Sequence, residues 1–257
     1  MKVNRICIAL SAAALVGLSS TAMADTFQAK YTGGTSLGVG VEMKFNLNGA
    51  GYKNTFAQQM NFSFQGAPSS LGTSQMTFCT ELTQYVNGNW QTYELVSVAD
   101  APKPGPPLGM GADKAQAIYH LYDFAAGQQF GTDNFFAAAF QMMIWEIVYD
   151  ASFDANGIVA GSLDVASGNL QMQRRGNTTS DNWNDVLTVF NSMKNHFAAL
   201  TSGGLDFGWG DVGANGLRGM SSDGYQDQLV MIPLPAPVFI GLAGLALIPV
   251  LRRRKQS

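Results

Sequence analysis

The sequence predicts an α+β fold in which an antiparallel, β-rich sandwich or barrel contains an inserted helical segment. Apolar and polar residues alternate in short runs through residues 26–100, whereas helical periodicity begins after a proline- and glycine-rich loop at 101–110. Because strands and helices occupy separate stretches of the chain, a doubly wound parallel sheet is not expected. The body of the chain, residues 25–228, is long enough for one domain with a full core.

Four strands are predicted in the β-rich part. Residues 41–47 and 60–64 place every second side chain on an apolar face, which is typical of half-buried strands. Two more strands are expected within 76–86 and 91–98. Between them lies Asn-Gly-Asn at 87–89, and Asn-Gly favours a tight turn, so these two strands are predicted to form a hairpin.

Three helices are predicted, at 112–126, 133–149 and 181–200. The second is apolar almost all round, so we expect it to be buried on most sides. The polar stretch 151–179 is predicted to be loop with a short strand or two. The glycine-rich stretch 205–228 is predicted to pair partly as strand.

The N-terminus has the organisation of a secretory signal peptide. Lys2 and Arg5 precede an apolar run at 6–18, and the Ala-Met-Ala sequence at 22–24 follows. A basic start, an apolar run and a small-x-small site in this order indicate cleavage by signal peptidase after export. Residues 1–24 are therefore the predicted signal peptide, with the export machinery and signal peptidase as partners, and the mature chain begins at Asp25.

The C-terminal segment, 229–257, combines a proline motif, an uncharged apolar run and a basic end. These parts are Pro233-Leu234-Pro235, the uncharged residues 229–251, and Arg252, Arg253, Arg254 and Lys255. As a helix, the cleanly apolar part at 236–251 would extend roughly 24 Å, which is marginal for a hydrocarbon core of about 30 Å. The basic end would stay cytoplasmic while the body faces outward.

This segment resembles the PEP-CTERM sorting signal of Gram-negative bacteria, although Leu234 stands where the commonest form has glutamate. The resemblance implies a hydrophobic sorting helix, transient anchoring in the inner membrane, and an exosortase-like protease that cuts near 233–237. The final location would then be the cell surface or the extracellular matrix. The alternative is a plain C-terminal membrane anchor.

Composition excludes several classes of partner and cofactor. Without its two ends the chain keeps 9 basic and 18 acidic residues, which is a net charge of −9. An acidic body argues against nucleic acid and anionic lipid as partners. His120 and His196 are the two histidines, and with one mature cysteine they leave few ligands for a zinc or copper site. A phosphate-binding glycine loop is also missing, so we predict neither a metal nor a cofactor.

Cys79 is the single cysteine of the mature chain, so an internal disulfide cannot form. Its thiol is either buried as a small apolar group, or paired with a cysteine of another chain, or bound covalently in some other way. Gln141 lies in the most apolar helix, where an unpaired amide costs roughly 1–3 kcal/mol. Its amide is either bonded to a loop backbone or is itself a reactant. A thiolate beside a glutamine carboxamide can expel ammonia and form an internal thioester.

The residues around this pair resemble the Cys–Gln thioester domain of bacterial surface adhesins. An aromatic residue precedes Cys79, and Glu81 and Leu82 follow it; after Gln141 comes an apolar stretch with a tryptophan. The likeness covers about residues 75–150 and implies covalent attachment to an amine on a surface or matrix target. The supporting residues that it suggests are Phe78, Tyr119, Tyr122, Trp145 and Glu146.

Two other functions remain open. Thr80 and the Met-Met pair at 142–143 depart from the thioester pattern, which favours a non-reactive structural matrix protein with the same tail. A cysteine hydrolase would use His120 as the base for the thiol, but the sequence shows neither a nucleophile motif nor an orienting third group. Glu146 and Asp150, four residues apart, are expected to be solvated or capping carboxylates.

Overall fold

The computed structural model describes most of the body of the chain. The described residues are 26–34, 41–102, 109–126, 134–202 and 216–232. The predicted signal peptide and the part of the predicted sorting tail from Pro233 onward lie outside these ranges, whereas residues 229–231 of that predicted tail lie in a strand of the body. None of the helices in the described part has the length and apolar character needed to cross a membrane.

The described ranges contain eleven strands and three α-helices. In chain order the strands are β1 Thr26–Gly34, β2 Val41–Leu47, β3 Tyr52–Ala57, β4 Met60–Gln65, β5 Ser74–Cys79, β6 Gln91–Val96, β7 Phe153–Asp154, β8 Gly157–Ile158, β9 Leu170–Arg174, β10 Leu217–Ser221 and β11 Gln228–Met231. The helices are α1 Ala112–Phe124, α2 Asn134–Tyr149 and α3 Ser180–Ser202. The three helices all fall between β6 and β10, so they form an insertion into the strand order.

Six antiparallel strands close into a barrel in the order β1-β4-β5-β11-β10-β6. Aromatic side chains fill part of its interior: the ring centroid of Tyr93 lies 6.5 Å from that of Phe27 and 6.1 Å from that of Phe62. All three side chains are buried. The prediction of an antiparallel, β-rich fold is confirmed, and of its two forms the barrel is the correct one.

A second sheet, in the order β3-β2-β9, covers α2 from outside the barrel. Helix α2 contacts all three of these strands, and it also contacts β5 of the barrel and both other helices. From Phe136 to Val148 every residue of α2 is buried. The expectation that this helix is buried on most sides is therefore confirmed, because it packs between the barrel, the second sheet and the other helices.

The predicted hairpin between residues 76–86 and 91–98 is wrong. Strand β5 ends at Cys79, and the hairpin β10–β11 is inserted between β5 and β6: Leu229 of β11 is paired with Phe78, and Gly219 of β10 with Val96. The carbonyl of Asn87 instead accepts the N–H of Tyr31 in β1, at 3.0 Å. The Asn-Gly sequence signals a local turn, but burial across the barrel decides which strands pair.

Candidate functional site

Cys79 is the last residue of β5 and is buried at 1% exposure, with a free thiol. On one side it is paired with Gln228 of β11. On the other side β4 supplies no partner, because the β4–β5 register ends with Met60 opposite Thr77. The main-chain N–H and C=O of Cys79 therefore need a partner from elsewhere in the fold.

Gln141 of α2 provides that partner with its side chain. The N–H of Cys79 donates to Oε1 of Gln141 at 2.8 Å, and Nε2 of Gln141 donates to the Cys79 carbonyl at 2.7 Å. The carboxamide thus takes the position that a further residue of β4 would occupy. Gln141 is fully buried, so these two bonds satisfy a side chain that water cannot reach.

The same arrangement has chemical consequences. If a nucleophile attacked Cδ of Gln141, negative charge would develop on Oε1, which already accepts the N–H of Cys79. A main-chain donor aimed at a developing oxyanion is the usual way in which proteins stabilise acyl transfer. The thiol belongs to the residue whose main chain holds the carboxamide, so this pair of hydrogen bonds keeps the carboxamide beside the residue that carries the nucleophile.

The thiol of Cys79 is protonated in the folded chain. Burial raises its pKa far above the ordinary value, and the nearby negative charges of Glu81 and Asp227 act in the same direction. The Sγ–H donates to the carbonyl of Glu81 at 2.6 Å. The sulfur is therefore held in a defined orientation, as a neutral group rather than as a thiolate.

Trp145 lies one turn after Gln141 on α2 and is buried at 1% exposure. Its indole N–H has no hydrogen-bonding partner among the nitrogen and oxygen atoms of the described residues. It is close enough to the sulfur of Cys79 to lower the pKa of that thiol. A thiol sulfur is a weak acceptor, so this contact stabilises the sulfur less than an ordinary hydrogen bond does.

Two buried acidic residues connect the segment after β5 to the turn between β10 and β11. The carboxyl group of Glu81 accepts the N–H of Asp227 and the hydroxyl of Thr83, each at 3.0 Å. Burial, with a smaller effect from the charge of Asp227, raises the pKa of Glu81 to about 7. The carboxylate of Asp227 in turn accepts the N–H of Ser222 at 2.7 Å and the hydroxyl of Ser221 at 3.1 Å.

Sequence reasoning missed Asp227 and Tyr149. Asp227 stands between two glutamines before a short strand, where no local pattern marks an acidic residue as buried. The hydroxyl of Tyr149 accepts the N–H of Leu82 at 2.9 Å. This residue had a signal, because Gln141, Trp145 and Tyr149 follow one another at intervals of four and so share one face of a helix.

Two of the predicted supporting residues, Phe78 and Tyr122, form an aromatic group with Phe140 beside the pair. The ring of Phe78 lies 4.8 Å from that of Phe140 and 6.5 Å from that of Tyr122, between centroids. Tyr119 is half-buried near Arg218, and burial raises its pKa. Neither Tyr119 nor Tyr122 hydrogen-bonds Gln141 in the described structure, whereas the hydroxyl of Tyr149 bonds the segment after Cys79.

Glu146 is neither solvated nor part of this site. It is fully buried, because α2 has no solvent-facing side there, and its Oε2 accepts the N–H of Asp164 at 3.0 Å. Its Oε1 is unpartnered within the described ranges. Burial, with Asp150 nearby, raises the pKa of Glu146 to about 9, so the group is neutral at pH 7. Asp150 accepts the N–H groups of Asn169 and Leu170, so it bonds the start of β9 and does not cap a helix.

His120 belongs to a different part of the fold. Its ring contacts Gln116, 3.3 Å away between the two Nε2 atoms, and burial lowers its pKa while Asp123 raises it. None of these groups is among the hydrogen-bonding or electrostatic partners of Cys79. The geometry therefore gives no support to a Cys–His hydrolase. The described residues also contain no group of three or more side chains suited to hold a metal ion.

Comparison with known proteins adds no relative: no family model matches the chain, and neither the curated proteins nor the solved structures contain a match.

Proposed function

We propose that this chain is an exported surface or extracellular-matrix protein that attaches covalently to amines through a thioester between Cys79 and Gln141. The observation that carries the proposal is the reciprocal pairing of these residues, in which the Gln141 carboxamide bonds both main-chain groups of Cys79. The pairing joins residues 62 positions apart and buries both side chains. A buried acyl group would be protected from hydrolysis until an amine arrives.

The chemistry balances without a cofactor. The sulfur of Cys79 bonds to Cδ of Gln141, the Cδ–Nε2 bond breaks, and the thiol hydrogen leaves with the nitrogen as ammonia. A target amine then attacks Cδ, forms an amide with Gln141 and returns the thiol to Cys79. Each molecule reacts once, so the protein is an attachment device and not an enzyme in the usual sense.

The two ends of the chain support an extracellular location for this reaction. The basic and apolar N-terminus with its Ala-Met-Ala site provides export, and the Pro233-Leu234-Pro235 motif with Arg252, Arg253 and Arg254 provides sorting. Amine-bearing surface or matrix molecules are the partners that such a protein would meet there. The net charge of −9 between the two ends does not suit nucleic acid.

A second function is favoured by one specific observation. The amide of Gln141 has both a donor and an acceptor partner without any covalent bond, and the Cys79 thiol is protonated. A structural matrix protein with the same sorting tail would use this pair only to complete the end of β5.

Intact mass spectrometry separates the two functions. A chain with the thioester is lighter than its sequence mass by one ammonia, and methylamine opens the bond, frees the thiol and adds its own mass at Gln141. The deficit should be lost in Cys79→Ala and in Gln141→Ala. It should remain in Gln116→Ala, which removes another buried glutamine from α1. Full sequence mass in fresh wild-type protein, with a titratable thiol, would establish the structural alternative.

Export and sorting are tested separately in the native host. N-terminal sequencing of the mature protein should begin at Asp25, and the C-terminal peptide should end near 233–237. Retention of Met1 would contradict export by a cleaved signal. Stable accumulation in the membrane of protein that keeps Arg252, Arg253 and Arg254 would identify the tail as a plain anchor.

A further inference from the structure

The peptide group that joins Glu81 to Leu82 has both of its polar atoms bonded inside the site. Its carbonyl accepts the Sγ–H of Cys79 at 2.6 Å and Nε2 of Gln226 at 2.8 Å. Its N–H donates to the hydroxyl of Tyr149 at 2.9 Å. The orientation of this one peptide plane therefore decides where the thiol hydrogen points.

We propose that Tyr149 is a positioning residue for the Cys79 thiol. Its hydroxyl fixes the Leu82 N–H, and because the peptide is planar, this also fixes the Glu81 carbonyl that accepts the thiol hydrogen. Without the hydroxyl, the 81–82 peptide loses its bond to α2. Rotation of the peptide would then release the thiol hydrogen and open the segment after β5 to water.

Helix α2 holds the contacts of Gln141 and Tyr149 at a fixed distance from each other. Gln141 and Tyr149 are eight residues apart on the same helix, which corresponds to about 12 Å along its axis. The middle of the helix, at Gln141, holds the main chain of Cys79, and its C-terminal end, at Tyr149, holds the peptide that orients the Cys79 sulfur. Both groups thus move together, and the burial of α2 restricts that movement.

This role rests on the proposed function where the thioester is concerned. A thiol hydrogen directed at the Glu81 carbonyl leaves the sulfur lone pairs turned away from that carbonyl, free to face the carboxamide that the main chain of Cys79 holds. Attack joins Sγ to Cδ, and the thiol hydrogen ends on the departing nitrogen. Tyr149 therefore affects the rate of bond formation without touching the reacting atoms.

The test uses Tyr149→Phe, which removes one oxygen and keeps the ring. In the mature chain, intact mass is followed with time after refolding, and formation of the ammonia-deficient species should be slowed about five- to ten-fold relative to wild type, the effect of losing one buried hydrogen bond. Tyr122→Phe is the matched control, because the described contacts of Tyr122 are ring contacts with Phe78 and Phe140. It should form the bond at the wild-type rate.

A second measurement does not need the thioester. In a Gln141→Ala background, native alkylation of Cys79 by iodoacetamide should be about five- to ten-fold faster with Tyr149→Phe added, and its pH profile should move to lower pH as water reaches the sulfur. Adding Tyr122→Phe should change neither quantity. Denaturant unfolding of each variant accounts for any global loss of stability.

The outcomes are distinguishable. If wild type has full sequence mass and Tyr149→Phe still accelerates alkylation, the proposed function fails and the positioning role stands. If Tyr149→Phe leaves both the alkylation rate and its pH profile unchanged, the positioning role is overturned, whether or not the thioester forms. Equal effects from Tyr149→Phe and Tyr122→Phe would also overturn it, since they would reflect general loosening.

Discussion

The side chain of Gln141 forms two hydrogen bonds with the main chain of Cys79, in the place where a neighbouring strand would otherwise bond it. The register of β4 against β5 ends at Thr77, two residues before Cys79. The carboxamide continues the ladder by one residue, with hydrogen bonds of 2.8 and 2.7 Å. Structural completion of the barrel and orientation of the carbonyl that the proposed thioester would use therefore depend on the same contacts.

Gln141→Leu should reduce the free energy of unfolding by about 2–6 kcal/mol. Leucine fills a similar volume but leaves the N–H and C=O of Cys79 buried without partners, at roughly 1–3 kcal/mol for each group. Denaturant unfolding followed by circular dichroism measures the change. Gln173→Ala, at an exposed position of β9, is the control and should stay within about 0.5 kcal/mol of wild type. A loss for Gln141→Leu no larger than that of the control would contradict the paired geometry.

The stability of the protein should decline as pH rises, in part because of Glu146. Burial raises the pKa of this group from 4.5 to about 9 in the folded chain. Between these values the folded chain retains a proton that the unfolded chain has lost, so the free energy of unfolding falls with increasing pH. The favourable contribution is complete below pH 4.5 and is lost by about pH 9.

Glu146→Gln should remove this part of the pH dependence, because glutamine is neutral throughout and still accepts the Asp164 N–H. In urea unfolding between pH 5 and pH 9, the free energy of unfolding of the variant should rise relative to that of wild type, by up to about 1.4 kcal/mol for each pH unit. Some decline should remain in the variant, since burial also raises the pKa of Glu81 to about 7. Parallel pH profiles for the two proteins would show that Glu146 is charged when folded.

Gly219→Ala should destabilise the barrel by roughly 1–3 kcal/mol through overpacking. A Cβ at this position of β10 would lie 2.8 Å from the Cβ of Ala101 and 2.9 Å from Cγ2 of Val96. Gly224→Ala is the matched control in the adjoining turn, where a Cβ meets nothing within 4 Å. Its stability should stay within about 0.5 kcal/mol of wild type. Equal stability of the two variants would mean that β10 does not pack closely against these residues.

Asp227→Ala should cost about 1–3 kcal/mol of unfolding free energy, because it leaves the buried N–H of Ser222 without its carboxylate partner. It should also increase the native alkylation rate of any free Cys79 thiol, since this turn is bonded to the segment after β5 through Glu81. Asp223→Ala changes an exposed carboxylate of the same turn and should alter neither quantity. Alkylation at an unchanged rate in Asp227→Ala would show that the turn does not protect the thiol.

The sequence predicted the elements with strong periodicity and missed the relations between distant strands. Strand β2 and the buried helix α2 follow directly from alternation and from an almost continuous apolar composition. The pairing of β5 and β6 was predicted from Asn-Gly, which describes only the turn itself. In the barrel, β5 and β6 are separated by the hairpin β10–β11, whose 15 residues come much later in the chain. Barrel closure decides this strand order, and no local sequence pattern encodes it.

The candidate site was predictable in the same partial way. Cys79 and Gln141 stood out because each has unusual chemistry for its surroundings, and the structure brings them together. Glu146 was expected to be solvated because carboxylates usually are, whereas packing on every side of α2 buries it. Asp227 and Tyr149 contribute to the site through hydrogen bonds with main-chain groups: the N–H of Asp227 donates to Glu81, and the hydroxyl of Tyr149 accepts the N–H of Leu82. Patterns of side chains along the sequence do not reveal such contacts.

The position of β10 and β11 in the barrel also sets the order of events during biosynthesis. Residues 217–231 are made after nearly all of the described chain, yet they close the ring between β5 and β6 and supply the neighbours of Glu81 and Thr80. A chain that appears N-terminus first therefore keeps Cys79 uncovered until β10 and β11 have emerged, because closure waits for contacts of long sequence separation. If the proposed thioester forms, this delay would keep the acyl group from forming before β10 and β11 are in place.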